Sequence, residues 1–181
     1  MMKMCELTLE SYYWTKDKVE CPYELLLLLK EQAGMDYFHQ QLNNYCLYSL
    51  SDVMYDKRRV SEVIYDAIVF QSIFKIGYKI FKNPEEFKKR NLIDYKASEK
   101  LLLEIKFLNK KEIENPYLVF ENIFKKHSLE KVSKSFLNLI LATMADDTYG
   151  KDFDCSVSVL EYHKLLEACK LIQLRSLMSD R

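Results

Sequence analysis

The stretch RVSEVIYDAIVFQSIFKIGYKIFK, residues 59–82, decides the fold class. Its second half is apolar at nearly every position. The main exceptions are four polar residues spaced three, four and three positions apart: Ser72, Lys75, Lys79 and Lys82. On a helix this spacing places them in one narrow stripe. A helix that is apolar around most of its circumference is usually buried by neighbours on several sides. We therefore predict a buried central helix over about 59–82 with other helices packed around it.

The composition agrees with a helical bundle. The 181 residues are 49% hydrophobic and 30% charged, which is typical of a globular domain, and they include three glycines and three prolines. A β-sandwich or a doubly wound α/β fold of this length needs many more turn-forming residues. We expect a single all-α domain over 1–181, a bundle of about seven helices with essentially no β-sheet.

Local start and stop signals divide the chain into helices. Pro22 and Gly34 frame the first, Asn-Pro pairs precede two others, and Ser128 is the predicted cap of another. The predicted helices cover residues 23–33, 35–50, 59–82, 84–111, 117–126, 129–145 and 158–178. The fourth contains a candidate break near Asn91.

Two segments lack helical patterning. Residues 1–21 carry Tyr12, Tyr13 and Trp14 among charged residues, and we expect an aromatic N-terminal arm packed on the bundle. Residues 146–157 form an acidic loop with four aspartates: Asp146, Asp147, Asp152 and Asp154. Clustered carboxylates suit Ca²⁺ or Mg²⁺, so these aspartates are weak metal candidates. The EF-hand pattern is absent, and we favour a solvated connection without metal.

The sequence contains none of the common catalytic motifs. HExxH, GxSxG, Walker A and GxGxxG patterns are missing. Asp36 and His39 have the spacing of one half of a di-iron site, but no second copy occurs. His163 and Glu167 lie four residues apart, which an ordinary surface hydrogen bond on the last helix explains. We favour a non-enzymatic protein without a cofactor.

Cysteine usage and hydropathy indicate the compartment. The five cysteines are dispersed, with no CxxC pair, as expected of reduced thiols in a cytoplasmic protein. The leucine run 25–29 is far too short to span a bilayer, and Lys75 and Lys79 lie in the middle of the central helix, where they would be costly in lipid. We expect a soluble, cytoplasmic protein without a membrane partner.

Charge is unevenly distributed along the chain. The formal net charge is zero, but residues 57–134 hold 18 Lys and Arg against 11 Asp and Glu, a net charge of +7. The rest of the chain carries −7. We favour basic and acidic helices that face each other, or solvated faces. The alternative is a surface for nucleic acid, although such domains are more often basic overall.

Residues 117–138 have the length pattern of a helix-turn-helix, with a possible recognition helix from Ser128. The turn lacks the usual glycine, which favours an αα-hairpin without a role in DNA binding. The candidate nucleic-acid residues in the basic segment are Lys88, Lys89, Arg90, Lys125, Lys126, Ser133 and Lys134.

The leading hypothesis is therefore a small non-enzymatic helical module that binds another macromolecule. We expect that partner to be a protein, with self-association as one form of it. The alternative is a nucleic-acid-binding regulator that uses the basic segment 57–134 and the hairpin 117–138.

Overall fold

The computed structural model describes residues 19–51, 59–85, 104–145 and 156–179. These ranges contain seven helices and no strand. The helices are α1 (Pro22–Gln32), α2 (Met35–Ser49), α3 (Val60–Lys82), α4 (Lys110–Glu114), α5 (Tyr117–Lys126), α6 (Leu129–Met144) and α7 (Val159–Ser179). The predicted all-α bundle is confirmed. None of the described helices combines the length and the apolar character needed to cross a membrane.

Helix α3 is the central element of the bundle. It packs against α1, α5, α6 and α7. Its side chains Phe70, Ile73 and Phe74 are fully buried. The central helix that the apolar run predicted is therefore confirmed, with bounds that differ by one residue from the prediction.

The predicted polar stripe on α3 is wrong at its first residue. Lys75 and Lys79 are half-buried and Lys82 is exposed, but Ser72 is fully buried. The Ser72 hydroxyl donates to the carbonyl oxygen of Ile68 at 3.2 Å, one turn earlier in the same helix. A serine whose hydroxyl bonds to its own helix can lie in a core at little cost. The stripe therefore begins at Lys75.

Aromatic rings join four of the helices at the centre of the core. Phe136 of α6 lies 4.6 Å from Phe70 and 5.2 Å from Phe74, measured between ring centroids. Phe74 is also 5.4 Å from Tyr162 of α7, and Phe38 of α2 is 5.5 Å from Phe70. Aromatic pairs at such distances contribute about 0.5–1.5 kcal/mol beyond their buried area. This cluster fixes α2, α6 and α7 around α3.

Gly77 allows α5 to approach α3 closely. A Cβ atom at this position would lie 2.9 Å from Cδ1 of Phe120 and 3.3 Å from Cε2 of Phe124. Both rings belong to α5 and are buried. Because carbon atoms normally pack at 3.5 Å or more, a larger residue here would force these rings to shift.

The prediction of a helix that continues to residue 111 is wrong. Glu104 is helical, residues 105–109 are not, and α4 starts at Lys110. The new start is a capping box, in which the Asn109 side chain accepts from the Glu112 N–H at 3.1 Å. The Glu112 carboxylate accepts in return from the Asn109 N–H at 2.9 Å. Ile105 and Leu108 are buried as expected, but from a non-helical segment.

Several predicted features lie outside the described residues. They include Lys88, Lys89, Arg90, the four aspartates of the acidic loop, the candidate break at Asn91, and residues 1–18 of the N-terminal arm. The described end of the arm does contact the bundle. Val19 is buried, and the carbonyl oxygen of Glu20 accepts from Nζ of Lys79 at 2.6 Å.

Candidate functional site

Helices α3 and α6 lie side by side and run in opposite directions. At one end of the pair, Nε2 of Gln71 donates to the carbonyl oxygen of Ser133 at 3.4 Å. At the other end, Tyr45 contacts both helices. Its hydroxyl donates to Asp66 of α3 at 2.7 Å, and its carbonyl accepts from Oγ1 of Thr143 at 2.9 Å. Along the helix pair, residue numbers therefore increase on α3 in the direction in which they decrease on α6.

This pair of helices carries an exposed apolar ridge. Its members are large aliphatic residues with exposed fractions of 58, 54, 43 and 60%: Val60, Ile64, Leu137 and Leu141. Ile64 lies two turns before Gln71 on α3, and Leu141 lies two turns after Ser133 on α6. The antiparallel register thus places both residues toward the same end of the helix pair. An apolar surface shared by adjacent helices is a typical interaction site.

The described nucleic-acid candidates lie around the turn between α5 and α6. Lys125 and Lys126 are exposed, and each forms an ion pair. Nζ of Lys125 is 2.6 Å from Glu121, and Nζ of Lys126 is 3.0 Å from Glu161 of α7. The Lys126 pair joins the basic segment to the acidic C-terminal part of the chain.

The other two described candidates lie on α6. Lys134 is exposed, whereas Ser133 is half-buried beside α3. The α5–α6 hairpin predicted at 117–138 is therefore present as two helices joined by a short turn. Both helices pack on α3, so the hairpin is part of the bundle core.

Two histidines that the sequence analysis treated separately meet between α2 and α7. Nδ1 of His39 is 2.8 Å from Nδ1 of His163, and the two rings are nearly parallel. Nε2 of His163 is 3.1 Å from Oδ1 of Asn43. The ring of Phe107 stacks on His163 with a centroid distance of 4.3 Å. The expected surface pair of His163 with Glu167 is wrong, since both side chains are buried and bind other groups.

Glu167 instead binds the non-helical segment before α4. Its carboxylate accepts from the backbone N–H groups of Lys106, Phe107 and Leu108 at 2.7, 2.8 and 3.1 Å. This non-helical segment has no helical partners for these N–H groups, and Glu167 supplies the acceptors. This contact explains why the chain is not helical at 105–109.

Lys170, one turn after Glu167, holds two carboxylates. Nζ of Lys170 lies 3.0 Å from Oδ1 of Asp36 and 3.1 Å from Oε2 of Glu104. Burial acts against the charge of Lys170, but these hydrogen bonds raise its pKa. Asp36 is therefore bound to a lysine and His39 to a histidine, in contrast to a carboxylate–histidine metal half-site.

A second buried carboxylate, Asp66, joins α2 to α3. It accepts from the hydroxyl of Tyr37 at 3.0 Å and from that of Tyr45 at 2.7 Å. Burial and the neighbouring Asp66 raise the pKa of Tyr65. The sequence analysis did not identify this site. Its signal was an aspartate at helical spacing from the buried Val63 and Phe70, on the apolar face of α3.

The described part of the chain gives no support for a metal-binding site. Among those residues, no group of three or more His, Cys, Asp or Glu side chains is placed to hold a metal ion. Cys21 and Cys169 are free thiols. Burial raises the pKa of the Cys169 thiol, which makes it less reactive.

Comparison with known proteins adds no assignment. The candidate sites are therefore the apolar ridge, the exposed lysines near the α5–α6 turn, and the histidine pair, each defined by its own geometry. No protein-family model, curated protein or solved structure matches this chain.

Proposed function

We propose that this chain is a small non-enzymatic helical module that binds another protein through the apolar ridge. The observation that supports this function is the exposure of four large aliphatic side chains on adjacent helices, α3 and α6. Single exposed leucines are common on protein surfaces, whereas four exposed aliphatic side chains on two helices packed against each other favour an interaction surface. The exposed charges of Glu130 and Lys134 on α6 border it.

The shape of the ridge suggests the chemistry of the partner. The apolar ridge is made by two antiparallel helices, which leave a shallow groove between them. An amphipathic helix fits such a groove with apolar residues at positions i, i+3, i+4 and i+7. A second copy of the same ridge would supply equivalent residues and would give a symmetric dimer. The free thiols of Cys21 and Cys169 suit a reducing compartment such as the cytoplasm.

The first test is the double substitution Ile64→Ser with Leu141→Ser. Both side chains are more than half exposed, so the free energy of unfolding should change by less than about 1 kcal/mol. Binding of a protein partner, or dimerisation measured by analytical ultracentrifugation, should weaken about 100-fold, because two anchors of roughly 1.5 kcal/mol each are lost.

The matched control is Leu160→Ser on α7, which removes a half-exposed leucine outside the ridge. It should bind as the wild type does. Proteins captured by the wild type and the control, but lost from the double variant in quantitative mass spectrometry, would be the partners. Equal capture by all three proteins would show that the ridge is not the binding surface.

Nucleic-acid binding through the segment 57–134 and the hairpin 117–138 is a second candidate function. It is favoured by the exposure of the adjacent Lys125 and Lys126 at the end of α5. If they contact phosphates, fluorescence anisotropy should show that log affinity for DNA or RNA falls linearly with log salt concentration. The double substitution Lys125→Glu with Lys126→Glu should weaken binding about tenfold or more and reduce the salt slope by about 2.

The control for this test is Lys30→Glu, an exposed lysine on α1 outside the basic segment. It should leave the affinity nearly unchanged. Absence of binding at low salt would refute this second function. Lys125 and Lys126 would then serve within the fold, through their ion pairs with glutamates.

A further inference from the structure

We infer that the contact between His39 and His163 is a pH-sensitive latch, which holds α2, α7 and the segment 105–108 together at neutral pH and loosens on acidification. The latch is a direct Nδ1–Nδ1 hydrogen bond of 2.8 Å between the two helices. Phe107 stacks on His163, so the non-helical segment is part of the same cluster.

The hydrogen bond requires that the two facing nitrogens share a single proton. Nε2 of His163 faces Oδ1 of Asn43, which is an acceptor, so Nε2 carries the proton of a neutral His163. Nδ1 of His163 then accepts, and Nδ1 of His39 donates. A further proton on His163 would place two N–H donors against each other at this distance. Protonation of His163 therefore breaks the bond.

The charged groups around His39 do little to stabilise an added proton on its ring. On α2, Asp36 would attract it, but this carboxylate already binds Lys170 of α7. Lys170 and Lys106 both repel a charge on His39, and so would a charged His163.

The remaining carboxylates near the pair are also engaged. Glu104 binds Lys170, and Glu167 accepts the backbone N–H groups of residues 106–108. Burial, followed by the effect of His163, lowers the pKa of His39 to about 4, and burial also lowers the pKa of His163.

The sign of the pH effect follows from these shifts. An unfolded histidine has a pKa near 6.5, so between about pH 6.5 and 4 the unfolded chain binds a proton that the folded chain does not bind at His39. The stability present above pH 6.5 is therefore lost as the pH falls through this window. Ordinary carboxyl groups titrate near pH 4, so the upper part of the window reports on histidines.

The test measures thermal unfolding and amide exchange at about pH 7.5 and 5.5. The melting temperature should fall by roughly 3–5 °C at the lower pH. Hydrogen–deuterium exchange, corrected for its intrinsic pH dependence, should accelerate at residues 106–108, whose N–H groups lie beside the pair. In NMR titrations the ring signals of His39 should titrate below pH 5.

Two substitutions separate the latch from the rest of the fold. In His39→Asn the side-chain amide can donate in place of Nδ1 but does not titrate, so the part of the temperature drop that His39 contributes should disappear, while the part due to His163 remains. The control Lys30→Glu, at an exposed position on α1, should retain the drop. A His39 signal that titrates near pH 6.5, or a drop unchanged in His39→Asn, would overturn the inference. If His39→Asn fails to fold, the wild-type NMR titration and the amide exchange of residues 106–108 decide whether the inference holds.

Discussion

Replacement of Glu167 by alanine should lower the free energy of unfolding by about 3–5 kcal/mol. The Glu167 side chain lies on α7 and is only 2% exposed. It accepts the backbone N–H groups of Lys106, Phe107 and Leu108. Alanine would leave these donors without their acceptor in a partly buried position. Each such loss costs about 1–3 kcal/mol, and partial access of water to the segment reduces the sum.

Urea denaturation followed by circular dichroism measures this loss. Glu167→Gln should cost less, about 1–3 kcal/mol, since the amide oxygen still accepts while the NH₂ group faces a donor. The control is Glu104→Ala, which removes a half-exposed carboxylate from the same cluster and should cost less than about 1 kcal/mol. A loss for Glu167→Ala no greater than that of the control would mean that water replaces the carboxylate.

Helices with strong local signals could be predicted from the sequence almost to the residue. Pro22 starts α1 as expected, and the predicted bounds 117–126 agree with those of α5. Ser128 caps α6 by accepting the N–H of Lys131 at 3.1 Å. These features depend on residues within one turn of each other, so the sequence contains the information directly.

The errors occurred where distant residues decide the structure. The segment 105–109 appeared to continue a helix, but its backbone binds Glu167, about 60 residues later in the chain. A local signal for the next start was present in Asn109 and Glu112, whose spacing fits a capping box. The His163–Glu167 spacing favoured a surface pair, yet packing of α2 and the non-helical segment 105–109 onto α7 buries both residues.

The apolar ridge could not be identified from the sequence for a related reason. Ile64 and Leu141 lie in apolar helices, and their spacing does not differ from that of buried residues. Which apolar face stays exposed depends on how many helices pack around α3 and α6, which is a property of the whole fold. Asp66 shows the converse case, a charged residue that the packing of α2 buries.

Asp66→Ala should lower the free energy of unfolding by about 2–4 kcal/mol, because a buried hydrogen-bonded carboxylate between two helices is lost. Asp66 is 1% exposed and accepts from the hydroxyls of Tyr37 and Tyr45. Asp66→Asn retains one acceptor oxygen and should cost about half as much. Tyr37→Phe should cost less than Tyr45→Phe, because Tyr37 is only half-buried and water can replace part of its bond.

A double-mutant cycle between Asp66→Ala and Tyr45→Phe isolates this contact from the loss of packing. Tyr45 donates at 2.7 Å from a fully buried position, so the coupling free energy should be about 1–2 kcal/mol. A cycle between Asp66→Ala and Val132→Ala, which lies on α6, should give less than about 0.5 kcal/mol. Strict additivity of the Asp66 and Tyr45 substitutions would show that the carboxylate does not stabilise the packing of α2 on α3. Coupling to Tyr45 but not to Val132 would show that this buried carboxylate holds α2 in register with the central helix.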